Sequence, residues 1–329
     1  MKKILILFAA FFMFSAVNVY AKTMSKYGYP VGYEANSKPA YYNSNKPKNY
    51  SIDSIINSIN IYYENDYFHY GEYTPNLPGF YSASQPAGSY LDGEHIGFHG
   101  WGISFQNILT KQVPIWYKAS YSYLPGSGTY DEPVGITNIG HSSDMSRYGF
   151  RLGYVFHIGS RIALIPNFGY EWVNWNRNIP GLNSDYYHLN YYMIGLKGYY
   201  IPPVLNNNLW IEGEAYYLND IHDTVDIGFT GPGYVYEAPY ITDAHYNFTM
   251  APKAGYILGA KIGYTVLKYK NISVSPYLGF KFSQNKMGRS NINTEEGYII
   301  NGNVYAASVT EPSDQYNQIF LQFGLKFGF

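Results

Sequence analysis

Eleven residues, Ile319 to Phe329, constrain this chain more than any other stretch. Ile319, Leu321, Phe323, Leu325, Phe327 and Phe329 fall on one face of an extended segment, and Phe320, Gln322, Gly324, Lys326 and Gly328 fall on the other. One face is wholly apolar and the other is mostly small or polar. That describes a strand with lipid on one side and a wet or polar-filled lumen on the other.

The segment stops on an aromatic residue, and this ending resembles the C-terminal strand of bacterial outer-membrane β-barrels. The resemblance implies that Phe329 belongs to the signal read by the barrel-assembly machinery. At the other end, Lys2 and Lys3 precede an apolar run to Phe14, and Val19-Tyr20-Ala21 supplies small residues for a cut. Residues 1–21 are therefore expected to be a cleaved signal peptide. The run is short for a membrane anchor, and with no cysteine in the chain there is no lipoprotein attachment point. These features predict export to the outer membrane of a Gram-negative bacterium.

An exported chain without cysteine has no disulfides, and a closed barrel holds itself together through its backbone ladder instead. Forty Tyr, 33 Gly and only 14% charged residues suit interfacial girdles and close strand packing. A formal net charge of −1 argues against a nucleic-acid partner.

Residues 22–50 have no strand or helix period and read as a flexible periplasmic arm, leaving 51–329 for the barrel. The first strand is placed at roughly 56–67, where Ile59, Ile61 and Tyr63 alternate, with a short helical turn before it. Eight further strands follow, within 95–108, 115–123, 148–158, 162–172, 187–200, 211–217, 254–264 and 272–282, and the C-terminal strand is the tenth. The links after even-numbered strands are short, and those after odd-numbered strands (68–93, 125–146, 174–186, 219–252 and 285–315) are long and polar. Short periplasmic turns and long outer loops predict an all-β, transmembrane, antiparallel up-and-down barrel with both termini in the periplasm, a monomer in contact with outer-membrane lipids and lipopolysaccharide. One hairpin read differently gives eight or twelve strands. A soluble sandwich would favour Val and Leu on its inner face, whereas the face opposite Tyr and Phe here carries Gly, Ser and charge.

The inward set comprises Lys118, Arg151, Glu171, Lys197, Glu212, Glu214, Lys253, Lys261, Lys281 and Lys326. Three carboxylates among seven cations in a narrow barrel predict an ion network that plugs the lumen, since unpaired buried charges cost several kcal/mol each. The cation excess also suits a narrow anion-selective pore.

For chemistry the chain offers little by spacing: no HExxH, no Gly-x-Ser-x-Gly elbow and no phosphate loop, so neither metal nor cofactor is expected. Asp220 and His222 would share a face of an extended segment at the outer rim, where a carboxylate can orient an imidazole as a general base. With the size and strand count, this Asp-x-His resembles the omptins, ten-stranded outer-membrane proteases whose Asp-His pair faces a second acidic couple across the groove. The resemblance implies endoprotease activity using Asp220 and His222. Opposite them the chain offers Asp131 and Glu132, adjacent residues in the expected loop Gly126–Pro133, which would point to opposite faces of a strand. A lipid-A-modifying enzyme would need a lipid-facing His near the outer girdle, and no residue set singles it out. The favoured reading is non-enzymatic: a surface or structural barrel whose Tyr-, Asn- and Gly-rich outer loops serve binding or shielding.

Overall fold

The computed structural model describes residues 52–73, 88–110, 112–131, 138–180, 183–229, 234–235, 238–239, 245–269, 272–291, 293–300, 303–309 and 312–329. The expected signal peptide and arm lie outside them. Ten strands form the barrel: β1 (Ser58–Tyr73), β2 (Tyr90–Ile108), β3 (Ile115–Asp131), β4 (Ile139–Tyr154), β5 (Ile162–Asn178), β6 (Asn183–Tyr200), β7 (Leu209–Asp220), β8 (Ala254–Tyr264), β9 (Ile272–Met287) and β10 (Ser313–Gly328). Each pairs antiparallel with its neighbour in sequence. The ring closes where β1 pairs with β10, from Ser58↔Gly328 to Tyr73↔Ser313. A closed ring leaves no backbone N–H or C=O facing lipid, which is the condition for crossing a bilayer with strands.

The period-two pattern sorts every side chain to one side of this wall. On β10, Ile319, Leu321, Phe323 and Leu325 are exposed, while Phe320, Gln322 and Lys326 are buried. The same parity turns Ile61, Ile103, Phe150, Phe168, Ile194 and Phe280 outward. Tyr63, Trp101, Trp172, Tyr192 and Tyr217 lie nearer the outer ends of their strands and form the upper girdle.

Many strands exceed the roughly 9–11 residues that a tilted strand needs to cross the hydrocarbon, so the wall continues above the membrane. This corrects the expected loop limits. Residues 125–131, 139–146, 174–178 and 183–186 are strand, and Gly126–Asp131 is the end of β3 rather than a loop. Apolar-out alternation stops at the bilayer surface because the outer face there meets water, whereas the hydrogen-bonded ladder goes on. The strand Asp223–Phe229 extends β7 along β6 and pairs with His245–Met250.

The lower end is closed by α1 (Asp53–Ile56), the short turn expected before the first strand. Its Ile55 and Ile56 are fully buried against a cluster that includes Trp116, Ile165 and Trp210. The Phe329 backbone N–H donates to the Asn57 carbonyl at 3.1 Å, fastening the chain end beneath this floor, and the Phe329 ring stacks on Phe105. Between β4 and β5 the turn reverses at Gly159, whose φ of +66° is costly for residues with a Cβ.

Leu321 sits mid-band on the lipid face. Leu321→Arg is expected to destabilise the folded barrel by about 2–4 kcal/mol in reversible urea unfolding from lipid vesicles. Equal stability of the variant and the wild type would reverse the face assignment.

Candidate functional site

The lumen is built in layers by the inward residues of successive strands. Above the floor, β1 turns Glu64 and Asp66 inward, both almost fully buried, and β4 turns in Arg147 and Arg151. Arg147 bridges Glu64 at 3.0 Å and Asp66 at 2.9 Å. Glu64 also accepts from the Gln322 side-chain amide. Arg151 lies 3.6 Å from Glu171 and 3.5 Å from Glu214.

Below them Glu212 is the common anion of three lysines: Lys197 at 2.6 Å, Lys326 at 3.1 Å and Lys261 at 3.7 Å. Aromatic faces cover several of these cations. Lys326 sits 4.1 Å from the Trp210 ring centre, Arg151 4.2 Å from Tyr216, and Arg147 and Lys281 each 4.5 Å from Phe320. Lys118 and Lys281 line a polar cavity of about 40 Å³ together with Glu64, Glu171 and Glu214. Lys253, placed inside by strand parity, is exposed; its carbonyl accepts the Asp220 backbone N–H at 3.1 Å.

Above the charged layer lies an apolar one that includes Phe68, Phe98, Leu124, Met145 and Leu189, with a second cavity of about 20 Å³ at its base. At the outer mouth a smaller ion cluster closes the stack. Arg177 is bound by Glu94 and Asp185, and the His141 Nε2 lies 3.2 Å from Glu94. The Trp175 and Tyr187 rings stack beside it at 4.4 Å.

Glu64, Asp66, Arg147 and the mouth cluster were absent from the sequence reading. The parity of Ile59 and Ile61 carries Glu64 and Asp66 inward, and the parity of Arg151 carries Arg147 inward, so both signals were present. With Glu64 and Asp66 inside and Lys253 outside, the cation excess that suited an anion pore is smaller than it looked.

The Asp220 region departs from the simple extended geometry. Between the pairs Tyr191↔Asp220 and His188↔Thr224, three residues of one strand oppose two of the other. This is a β-bulge at Ile221-His222-Asp223, and it re-aims the side chains around it. Asp220 stays buried at the lumen side, and Asp223, at 0% exposure, turns inward to meet it. His222 is exposed, and its carbonyl accepts the Asn190 side-chain amide at 2.7 Å. The Asp223 carboxylate accepts the Asn190 backbone N–H at 2.6 Å.

The two carboxyl groups, just beyond the Tyr192 and Tyr217 girdle, lie close enough to interact, and a proton held between them relieves the repulsion of two buried carboxylates. Burial pushes Asp220 up to about 6. Burial and the bond to Asp220 together hold Asp223 well above the usual carboxylate range. Chemically this arrangement suits an acid pair that shares a proton; Asp223 meets Asp220 across the bulge, and His222, exposed beside them, acts on Asp220 through its charge. Asp131, at the end of β3, accepts the Asn138 backbone N–H at 2.8 Å across its own hairpin; Glu132 lies outside the described residues. Among the described residues no cluster of three or more His, Asp or Glu is arranged to hold a metal.

No family model and no curated protein matches the chain. Among solved structures, the outer membrane protease OmpT from Escherichia coli is similar, at 13% identity and a TM-score of 0.50, covering 83% of this chain and 97% of that one. The translocator domain of the autotransporter NalP from Neisseria meningitidis covers 83% of this chain and 89% of its own, at 10% identity and a TM-score of 0.32. This chain has the outer-membrane β-barrel fold. At such identities the likeness extends to the fold alone.

Two outcomes follow. Glu212→Ala removes the carboxylate that pairs with Lys326 and the nearer of the two that pair with Lys197, whose other partner is Glu214 at 3.7 Å, and is expected to cost about 3–5 kcal/mol in urea unfolding. For the acid pair, both raised values mean that the closed bulge holds its protons more tightly than the opened one. Its stability is therefore full in acid and falls as pH rises from about 4, the ordinary carboxyl range, through about 6, where Asp220 titrates, and on through the raised range of Asp223. Hydrogen exchange of the Ile221 amide, corrected for intrinsic rate, should show more opening at pH 7 than at pH 4. Asp223→Asn, which keeps a donor for Asp220 and cannot ionise, should flatten that dependence; an unchanged profile would refute the shared proton.

Proposed function

We propose that this protein is a sealed, monomeric outer-membrane barrel, non-enzymatic, whose working part is the wall and loops it raises above the bilayer for surface recognition or shielding. The observation that carries the reading is the filled lumen. Among the described residues an apolar floor, an ion-paired middle layer, an apolar upper layer and an ion-paired mouth follow one another, and the cavities in the middle layer and at the base of the apolar one, of about 40 and 20 Å³, are of a size for a few waters each. Cavities of that size do not pass a hydrated anion. The closed ring supports the monomer, because within the bilayer no strand edge is left to recruit a second chain.

Lipopolysaccharide and other outer-membrane lipids are the partners of the apolar band and its girdles. The barrel-assembly machinery, reading the strand that ends in Phe329, is the partner in biogenesis, after export through the leader at residues 1–21.

Planar-bilayer recording of the folded full-length protein tests the seal. The expected result is no discrete conductance steps between pH 5 and 8; anion-selective steps would overturn it. The same preparation with lipopolysaccharide and a dibasic peptide separates this reading from an omptin-like protease. No turnover is expected, whereas turnover by the wild type that disappears in both Asp220→Ala and His222→Ala would replace a surface role with a catalytic one.

A further inference from the structure

Three of the eight histidines fall on one two-stranded ribbon of the barrel: His69 on β1, and His95 and His99 on β2. His69 and His95 are directly opposed partners in the β1–β2 register. Their rings stack with centroids 4.4 Å apart and planes 18° from parallel. His95 is exposed and His69 half-buried, two residues beyond the outward-facing Tyr67 and clear of the upper girdle formed by Tyr63 and Trp101.

Each ring is held through its Nδ1. The Nδ1 of His69 lies 3.2 Å from the Glu94 carbonyl oxygen, an acceptor only, so this nitrogen carries the proton and Nε2 keeps its lone pair. The Nδ1 of His95 lies 2.9 Å from the Tyr67 hydroxyl, which can accept as well as donate and so permits the same tautomer. An imidazole whose Nδ1–H is fixed by a carbonyl or hydroxyl presents Nε2 as a metal ligand, and such outer partners are the usual companions of metal-binding histidines.

We propose that His69 and His95 form a two-histidine site, through their Nε2 atoms, for a first-row transition-metal dication (Zn²⁺, Cu²⁺ or Ni²⁺) on the outer wall of the barrel. Two nitrogens bound to one ion at about 2.0–2.1 Å must lie within about 4.2 Å of each other. The ring centres of these directly opposed side chains lie 4.4 Å apart before any ion is present, so the rings need only splay for both Nε2 atoms to reach one ion. Imidazole suits these metals, whereas hard cations such as Mg²⁺ and Ca²⁺ prefer oxygen. With two protein ligands the remaining coordination positions face the aqueous layer above the lipid, open to water or to an external ligand. The Glu94 side chain belongs to the opposite side of the wall, in the mouth cluster, so the site shares a backbone with that cluster but no ligand.

The test uses folded full-length protein in detergent. Titration with Zn²⁺ should give one ion per chain, and Cu²⁺ bound at one equivalent should show electron-paramagnetic splitting from two nitrogens. His69→Ala and His95→Ala should each abolish the stoichiometric site and remove the two-nitrogen pattern, while His99→Ala and His188→Ala should leave both intact. Tyr67→Phe removes the contact that orients His95 and should weaken binding about tenfold without changing the nitrogen count. All five positions lie on the outer face, and heat-modifiable migration reports folding of each variant. Should a variant fail to fold, the wild-type nitrogen count decides the question. A count other than two, no stoichiometric Zn²⁺ binding by the wild type, or binding that survives either alanine at 69 or 95 would overturn the proposal.

Discussion

Closure of the β1–β10 seam is the constraint on which the rest of the structure depends. In hydrocarbon an unsatisfied backbone group costs several kcal/mol, so an open sheet of these strands would carry two unpaired edges through the bilayer. Sixteen consecutive register pairs join β1 to β10, and Phe329 adds a bond to Asn57 below them. Once the ring is closed, side-chain direction is no longer free. Each residue faces lipid or lumen by parity, and Ile319, Leu321 and Phe323 cannot reach lipid without sending Phe320, Gln322 and Lys326 inside.

That sorting creates the second problem, which is how to fill a narrow lumen lined with charge. The solution is vertical separation. Charges are concentrated in a middle layer and a mouth cluster, each set against apolar side chains that exclude water. Exclusion strengthens each ion pair and raises the penalty for an unmatched charge in the same proportion. Glu212 with its three lysines and Arg147 with its two carboxylates satisfy one another locally. Trp210, Tyr216 and Phe320 cover cations from the apolar side, so the layer boundaries are themselves attractive contacts.

The barrel, its strand number and its lipid face were legible in the sequence because alternation across a bilayer is a strong, repeated signal. The two faces of β10 followed from Ile319–Phe329 alone. Legibility faded where the outer face left the lipid. Residues 139–146 and 174–178 read as loop because the outward face there (Ser142, Asp144, Ser146, Asn174, Asn176) is polar, although the ladder through them is unbroken. Arg147 and Arg177 were missed for that reason, and the mouth cluster with them. Glu64 and Asp66 were missed for another reason: they lie within the strand expected at roughly 56–67, but its alternation shows only in Ile59, Ile61 and Tyr63, and the parity has to be carried past Tyr63 to turn them inward. The stacked His69–His95 pair was beyond sequence reasoning altogether, since it depends on which residues of two strands stand opposite each other.

The bulge after Asp220 marks where periodic reasoning gives way. In a regular strand, residues two apart share a face, and on that rule Asp220 and His222 belong together. One extra residue on one side of the ladder is enough to change the pairing, and the side chain that reaches Asp220 is then Asp223, three positions on. The consequence is chemical as well as geometric. A carboxylate beside an imidazole favours a charged pair and a basic nitrogen, whereas two buried carboxyls favour a retained proton and no base. Asn190 fixes this alternative from the neighbouring strand: its backbone N–H donates to Asp223, its side chain to the His222 carbonyl, and its own carbonyl accepts from Ile221. A motif defined by spacing of two thus carries its meaning only as far as the ladder keeps a spacing of two. The bonds of Asn190, through its backbone and its side chain, hold the bulge in which Asp220 and Asp223 meet.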